Sequence, residues 1–133
     1  MNDWFEVSIE PKAGLLRMTM GGFFSIEGVE RLTGALADAR KSLGCAPNAH
    51  ITLCDIRAMT IQSQDVMGHF MRLLSDPKTT SRRLALVVGT PLARMQARRL
   101  TDRPGVAFFT DMDEARRWLC EPPVSTQAAR PAA

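Results

Sequence analysis

The sequence has few of the side chains that usually perform catalysis or bind metals. Its 133 residues include two His, three Cys and no Tyr. The cysteines at positions 45, 54 and 120 form no CxxC pair, so they indicate neither a disulfide framework nor a zinc finger. His50 and His69 have no neighbouring ligands at metal-binding spacing, and no GxSxG, HExxH, Walker or GxGxxG motif is present. The sequence therefore predicts a protein that is not an enzyme and that needs no metal or cofactor.

Long apolar runs are also missing. No segment approaches the roughly 18 consecutive apolar residues of a membrane-spanning helix. The first ten residues, MNDWFEVSIE, have no basic stretch leading into an apolar run. We therefore expect neither membrane insertion nor export. The odd cysteine count fits a reduced, cytoplasmic chain, and the length fits one domain.

Acidic residues are scarce in one part of the chain. Across residues 78–103, seven Lys or Arg residues are balanced by Asp102 alone, a net charge of +6 in a chain whose total is +3. Such a segment either binds an acidic partner or is a solvated helix face. Nucleic acid is disfavoured as that partner, because no helix-turn-helix pattern is evident and exposed aromatic side chains for stacking are lacking.

Hydrophobic periodicity predicts the element order β-β-α-β-α-β-α-β-α. Two alternating strands, residues 5–10 and 16–20, flank the turn formers of residues 11–14 and predict an antiparallel hairpin. Later strands, HITLCDI (50–56) and LALVV (84–88), alternate with helices, and helical crossovers force parallel pairing. The predicted fold is α/β: one domain, residues 1–121, with a mixed four- to five-stranded sheet packed with about four helices. Residues 122–133 are a Pro/Ala-rich tail that we expect to be disordered.

The most informative segment is GVAFFTDMDEARRWL, residues 105–119. Its apolar run VAFF is typical of a strand inside a sheet with both faces covered. Asp111 and Glu114 then form a capping box, which predicts that a helix begins there. The inward face of that helix is predicted to be Met112, Ala115, Trp118 and Leu119.

The order of elements and three segments resemble the SpoIIAA-like proteins, a branch of the STAS fold with likeness to small CRAL-TRIO-type domains. The segments are HITLCDI, LALVVGT and, most specifically, FFTDMDEARRWL with its F-x-D-x-x-E-A-x-x-W-L pattern. The resemblance covers residues 4–120. It implies a sheet with helices, no catalytic activity and a cytoplasmic bacterial setting. It also implies either regulation through protein–protein interaction or binding of a small apolar or anionic ligand.

One site that the resemblance implies is missing here. Anti-sigma-factor antagonists of the STAS fold carry a D-S-S-G motif at the start of the helix after the third strand, where a partner kinase phosphorylates a serine. Here that place reads Ser63-Gln64-Asp65-Val66, with Asp65 at the phosphoacceptor position. The simpler role of Ser63 is the N-cap of this helix, and whether it is also modified stays open. We expect no phosphoserine switch of the usual kind.

The candidate binding surface spans the second and third predicted helices. On the second helix its members are Ser63, Asp65, Met67, Phe70 and Met71. On the third they are the N-cap Thr90 and an outward face of Arg94, Met95, Arg98 and Arg99. The inward face of the third helix is predicted to be Leu92, Ala93, Gln96, Ala97 and Leu100. Met and Arg are enriched in protein interfaces, which favours a contact surface.

We interpret the protein as a regulatory module that binds an unidentified protein partner, or a second copy of itself as a homodimer, through this surface. The alternative is a carrier or sensor of a small lipid-like or anionic ligand, held between the sheet and the helix that carries Met67. An enzyme would require one exposed pocket joining Asp55, His69 and Ser63.

Overall fold

The computed structural model describes residues 3–100 and 104–121, without the side chains at positions 96 and 100. The predicted disordered tail therefore lies outside the described residues. The strands are β1 (Trp4–Glu10), β2 (Leu15–Gly22), β3 (Ile51–Met59), β4 (Arg83–Val87) and β5 (Val106–Phe109). The helices are α1 (Ile26–Leu43), α2 (Gln64–Ser75), α3 (Pro91–Leu100) and α4 (Met112–Leu119), and a single 3-10 turn (Pro11–Ala13) joins β1 to β2.

The five strands form one sheet in which spatial order equals chain order. β1 and β2 are antiparallel, with Trp4 opposite Gly21 and Glu10 opposite Leu15. The pairings from β2 to β5 are all parallel. Because α1, α2 and α3 each connect two neighbouring parallel strands, the sheet is built from consecutive βαβ units. The predicted mixed α/β sheet with an N-terminal hairpin is confirmed, and it has five strands.

Local sequence signals explain where the elements begin and turn. Gly14 ends the 3-10 turn with a φ of 61°, a left-handed conformation that glycine adopts without strain. Ser25 caps α1, since its Oγ accepts a hydrogen bond from Gly28 N at 2.9 Å. Asp111 caps α4 in the same way, accepting from Glu114 N at 2.9 Å. The helix start predicted at Asp111 is therefore confirmed.

Two apolar cores lie on the two faces of the sheet. The first is covered by α1, α2 and α3 and includes the buried side chains of Phe24, Leu32 and Leu86. The second is covered by α4, whose Ala115 and Leu119 pack on β2, β3 and β4. Each fully buried Leu or Phe contributes about 1.5–3 kcal/mol relative to an exposed one. The sheet thus has α1, α2 and α3 packed on one face, the three-helix side, and α4 packed on the other, the one-helix side.

β5 is an edge strand, not a central one. Its outer edge has no partner strand among residues 3–100 and 104–121, and all four of its residues are half-buried. Both of its faces are nevertheless covered, because Val106 and Phe108 pack on the first core and Phe109 packs on the second. The continuous apolar run therefore reports two covered faces and does not report position within the sheet.

Two arginines anchor α4 to the sheet. Arg83 is buried at the start of β4; its guanidinium lies 4.9 Å from the centre of the Trp118 ring and donates a hydrogen bond to Trp118 O. Arg116 donates two hydrogen bonds to the Glu10 carboxylate, at 2.8 and 3.2 Å, and these lower the pKa of Glu10. The predicted inward residues of α4 all pack on the second core.

Candidate functional site

An apolar cleft lies between α2 and α3, at the carboxyl ends of β3 and β4. Its volume is about 170 Å³, and its floor and walls come from β3, the loop of residues 60–62, α2 and the start of α3. The lining residues are Ile56, Met59, Thr60, Ile61, Gln62, Met67, Phe70, Thr90, Leu92, Ala93 and Ala97. Binding sites in α/β sheets usually lie at the carboxyl ends of parallel strands. Of the predicted candidates, the structure brings Met67, Phe70 and Thr90 together here.

Gln62 fixes the loop that forms one wall of the cleft. Its side chain is nearly buried, and Oε1 accepts a hydrogen bond from Phe24 N at 2.7 Å. Nε2 donates to Gly22 O at 2.9 Å and to Thr60 O at 2.6 Å. One amide thus joins the β3–α2 loop to the β2–α1 loop, so this wall is held in place before any partner binds.

The start of α2 lies beside the cleft. Ser63 caps the helix, with Oγ accepting from Val66 N at 3.2 Å, which confirms its predicted structural role. Asp65 is exposed in the first turn, where a negative charge favours the positive end of the helix dipole. His69 Nδ1 lies 3.0 Å from the carbonyl oxygen of Asp65, to which a protonated Nδ1 donates, and 3.1 Å from Arg72 Nη2, which donates to an unprotonated Nδ1. Ser63 and Asp65 do not line the cleft.

The apolar candidates of α2 divide into three positions. Phe70 is 3 % exposed and packs edge-to-face on Phe24, with ring centroids 5.4 Å apart. Met67 is half-buried in the cleft wall. Met71 is 45 % exposed and lies outside the cleft lining. The helix therefore presents a buried residue that also lines the cleft, a half-buried cleft residue and a surface residue.

α3 departs from its predicted orientation at one residue. Thr90 caps it, accepting from Ala93 N at 3.0 Å, and Ala97 is buried as predicted. Leu92 was expected to face inward but is 56 % exposed at the rim of the cleft. The reason is its position in the first helical turn, past the end of β4, where it lines the open cleft and no closed core. The inward side chains predicted at Gln96 and Leu100 lie outside the described residues.

The outward face of α3 is exposed as predicted. Met95 is 58 % exposed, and Arg94, Arg98 and Arg99 are also exposed. The Arg98 guanidinium lies 5.3 Å from the centre of the Phe108 ring, so it covers one face of β5 through a cation–π contact. The basic face of α3 therefore extends from the cleft rim to the edge of the sheet.

The residues required for an enzyme do not converge. Asp55 points to the α4 side of β3, where it pairs with Arg57 at 2.9 Å, and the hydrogen bond from Arg57 lowers the pKa of Asp55. Ser63 and His69 belong to α2 on the opposite side of the sheet. Cys54 is fully buried, and burial raises the pKa of its thiol. These groups form no nucleophile–base pair and no acid–base pair.

Two further features, a metal-binding cluster and a membrane-spanning helix, are absent from the described part of the chain. Within residues 3–100 and 104–121, no group of three or more His, Cys, Asp or Glu side chains could hold a metal ion. No described helix is both long enough and apolar enough to cross a membrane.

Two residues of the cleft escape prediction from the sequence. Ile61 is 58 % exposed on the rim of the cleft, and the hydrogen bonds of Gln62 hold the loop that carries it. In the sequence both stand between the third strand and the Ser63 cap, where no periodic pattern marks them. A Gln whose partners lie 38 and 40 residues away carries no local signal of that role.

Comparison with known proteins places the architecture. No protein-family model and no curated protein matches the sequence. Among solved structures, the chain is similar to an uncharacterised DUF3478 protein from Shewanella loihica that has a SpoIIAA-like fold. The TM-score is 0.67 at 23% identity, covering 89% of this chain and 94% of that one. It is also similar to an anti-sigma factor antagonist from Mycobacterium paratuberculosis, with a TM-score of 0.63 at 10% identity, covering 90% and 96%.

These likenesses define the class of fold. The mixed sheet with an antiparallel opening hairpin and four helices is the SpoIIAA-like fold. The resemblance seen in the sequence is therefore confirmed at the level of the fold, over nearly the whole chain.

Proposed function

We propose that the protein is a non-enzymatic regulatory module of the bacterial cytoplasm that binds a partner protein through the α2–α3 groove. We define this groove as the cleft together with its exposed apolar rim, Ile61, Leu92 and Met95. The fold is shared with a protein described as an anti-sigma factor antagonist, which supports a regulatory role.

The observation that carries this proposal is the apolar rim. Ile61, Leu92 and Met95 are 58 %, 56 % and 58 % exposed, and the first two line the same cleft. Leu92 and Met95 are three residues apart on α3 and therefore lie on one helix face. Clustered exposed apolar side chains around a concavity are typical of a protein-binding site, because covering them removes apolar area from water.

The charge around the groove favours an acidic partner. α3 carries Arg94, Arg98 and Arg99 and no acidic residue. A symmetric contact between two copies of this chain through the groove would bring the two sets of arginines together, and like charges repel. A different protein, with an apolar side chain flanked by Asp or Glu, satisfies both the cleft and the arginines.

The size of the cleft favours insertion of a side chain over storage of a lipid. Small-molecule sites usually measure about 300–1,000 Å³, whereas this cleft measures about 170 Å³. An engineered cavity of about 150 Å³ binds one benzene ring. The cleft therefore suits one large apolar side chain of a partner. The alternative function, a carrier of a small lipid-like or anionic ligand, is tested by native mass spectrometry of freshly purified protein, in which a bound species would support it.

We also propose that the module acts without a phosphoserine switch. Asp65 stands at the phosphoacceptor position and is exposed, so a fixed negative charge is already present at the start of α2. Phosphorylation at this end of a helix would add charge to a terminus that is already capped and neutralised.

Affinity capture with matched variants tests the groove. Tagged wild-type protein, Leu92→Glu and Ala13→Glu are exposed to lysate of the source cells, and captured proteins are identified by mass spectrometry. Both substitutions add one negative charge at an exposed apolar side chain, but Ala13 lies in the 3-10 turn at the opposite end of the sheet. We expect one acidic partner that is captured by the wild type and by Ala13→Glu and lost with Leu92→Glu.

Two results would contradict this function. One is equal capture by all three proteins, which would show that the groove is not the contact. The other is sedimentation of the wild type as a dimer that Leu92→Glu converts to a monomer, which would make a second copy the occupant.

A further inference from the structure

A second concave site lies at the other end of the sheet, where β3 begins. This cavity of about 230 Å³ is formed by the last turn of α1, the loop of residues 44–50 and the loop after α2. Its charged lining residues are Arg40, Lys41 and Lys78, all cationic, and no carboxylate from residues 3–100 and 104–121 lines it. His50 lines the same cavity.

His50 contributes a buried polar atom that has no partner among the described residues. The residue is 4 % exposed, and its Nε2 makes no hydrogen bond with them. Nη1 of Arg82, whose backbone N–H donates to His50 O at 2.7 Å, is also buried and has no partner in the described part of the chain, but Arg82 does not line this cavity. Buried polar atoms are almost always hydrogen-bonded, so the unpaired nitrogen of His50, a residue that lines the cavity, needs a physical explanation.

Arg40 adds a half-buried cation to the same place. Burial lowers the pKa of Arg40, and the positive charge of Arg40 adds to burial in lowering the pKa of His50. Asp76 is the carboxylate whose charge reaches Arg40, but within residues 3–100 and 104–121 the guanidinium has no salt bridge and no hydrogen-bond acceptor.

The walls of the cavity are fixed in advance. Asn48 has a φ of 64°, an uncommon conformation for a residue with a side chain. Its Nδ2 donates to Pro77 O at 3.1 Å and to Thr80 O at 2.7 Å, which ties the loop after α1 to the loop after α2. Lys78 is held in the second loop, where its N–H donates to Asp76 Oδ1 at 3.0 Å.

We propose that this cavity binds an oxyanion, the phosphate or carboxylate group of a small molecule. Arg40, Lys41 and Lys78 supply the positive charge, and the guanidinium of Arg40 and the ring N–H of His50 donate hydrogen bonds to its oxygens. Charge-assisted hydrogen bonds of this kind are the strongest that side chains make. The site is separate from the α2–α3 groove, which lies at the carboxyl ends of the strands.

Titration with inorganic phosphate, and separately with acetate, tests the proposal in a low-salt buffer that does not screen the charges. Backbone and His50 ring resonances are followed by NMR in the wild type, Arg40→Gln, Lys78→Gln and Arg94→Gln. All three variants remove one positive charge, and Arg94 lies at the opposite end of the sheet. The ratio of the phosphate and acetate affinities shows which oxyanion the cavity prefers.

We expect saturable shifts at residues 45–50 in the wild type. Arg40→Gln should weaken binding by roughly tenfold to a hundredfold, the effect of one charge-assisted hydrogen bond. Arg94→Gln should change it by less than about twofold, because an exposed charge at the opposite end of the sheet acts on the cavity through water, whose high dielectric constant keeps the interaction weak. If Arg40→Gln does not fold, the exposed Lys78→Gln carries the test with an expected loss of several-fold.

Two outcomes would overturn the proposal. The first is the absence of saturable shifts with either anion at tens of millimolar. The second is equal weakening by Arg94→Gln and by the variants in the cavity, which would show only the net charge of the protein.

Discussion

Replacement of Gln62 tests whether its hydrogen bonds hold the loop that forms one wall of the α2–α3 groove. In Gln62→Leu, a change of similar size, Phe24 N–H loses its acceptor at 2.7 Å. Gly22 O still accepts hydrogen bonds from the N–H and the hydroxyl of Thr60, both at 3.2 Å. Thr60 is exposed, so water can hydrogen-bond to its carbonyl once the Gln62 amide is gone. The buried Phe24 N–H therefore dominates, and we expect a loss of about 2 kcal/mol of unfolding free energy.

Gln62→Glu provides the matched comparison. The carboxylate still accepts from Phe24 N–H, but its second oxygen faces Gly22 O and Thr60 O, which lie 2.9 and 2.6 Å from the amide nitrogen of the native residue. At pH 7 the carboxylate oxygen repels the two carbonyl oxygens, so the loss of unfolding free energy should equal or exceed that of Gln62→Leu. A protonated carboxyl can donate to one carbonyl, so folding raises the pKa of this Glu above its unfolded value of about 4.3. The protonated contact is present below that value and lost as pH rises through the folded pKa.

Urea unfolding followed by circular dichroism at pH 7 and pH 4, each against wild type at the same pH, measures both effects. The deficit of Gln62→Glu should shrink between pH 7 and pH 4, whereas that of Gln62→Leu should not change. A loss of unfolding free energy below about 0.5 kcal/mol for Gln62→Leu, well under the expected effect, would show that the hydrogen bonds of Gln62 do not hold the loop. An unchanged deficit for Gln62→Glu would refute the contact with the two carbonyls.

Three further predictions concern the cap, the edge strand and the buried histidine. Ser63→Ala should lower the unfolding free energy by about 1 kcal/mol and Ser63→Asp, itself a good N-cap, by almost nothing; equal losses in thermal melts would show that Ser63 is not the cap. Phe108→Ala on the edge strand should lose about 2 kcal/mol and Leu86→Ala on the next strand inward more than that, because a fully buried Leu loses about 2–5 kcal/mol; the reverse order in urea titrations would contradict the strand order. Burial, with a smaller contribution from Arg40, lowers the pKa of His50. The unfolding free energy should therefore fall as pH drops below about 6.5, where the unfolded histidine takes up a proton. His50→Gln should flatten this dependence of stability on pH, and an unchanged dependence would assign it to other groups.

The fold followed from the sequence because its signals are local. The Asp111 cap and the turn at Gly14 are each set by a few consecutive residues, and both are where the pattern predicts them. The predicted position of β5 inside the sheet was wrong, because an apolar run indicates that both faces of a strand are covered and does not indicate where the strand lies in the sheet. Phe108 is covered by Arg98 and the first core, and Phe109 by Trp118 and the second, although no strand lies beyond them in the described chain.

The candidate site was predicted less completely because it depends on contacts between distant residues. Helical periodicity placed Arg94 and Met95 outward correctly, but it placed Leu92 inward, since periodicity assumes a core opposite every turn of the helix. The cationic cavity joins Arg40, His50 and Lys78 from three segments. No spacing rule connects such residues, so only the three-dimensional arrangement shows them as one site.

The one-helix side of the sheet has a consequence for how the chain is made. Strands β2, β3 and β4 present Leu15, Leu53 and Val87 to this side, and α4 is the described helix that covers them. During synthesis, all three strands leave the ribosome before Ala115 and Leu119 do. The nascent chain therefore carries one covered apolar layer and one bare layer until α4 emerges. A chain terminated before α4 would keep that bare layer, and its first fate would be self-association or capture by a chaperone.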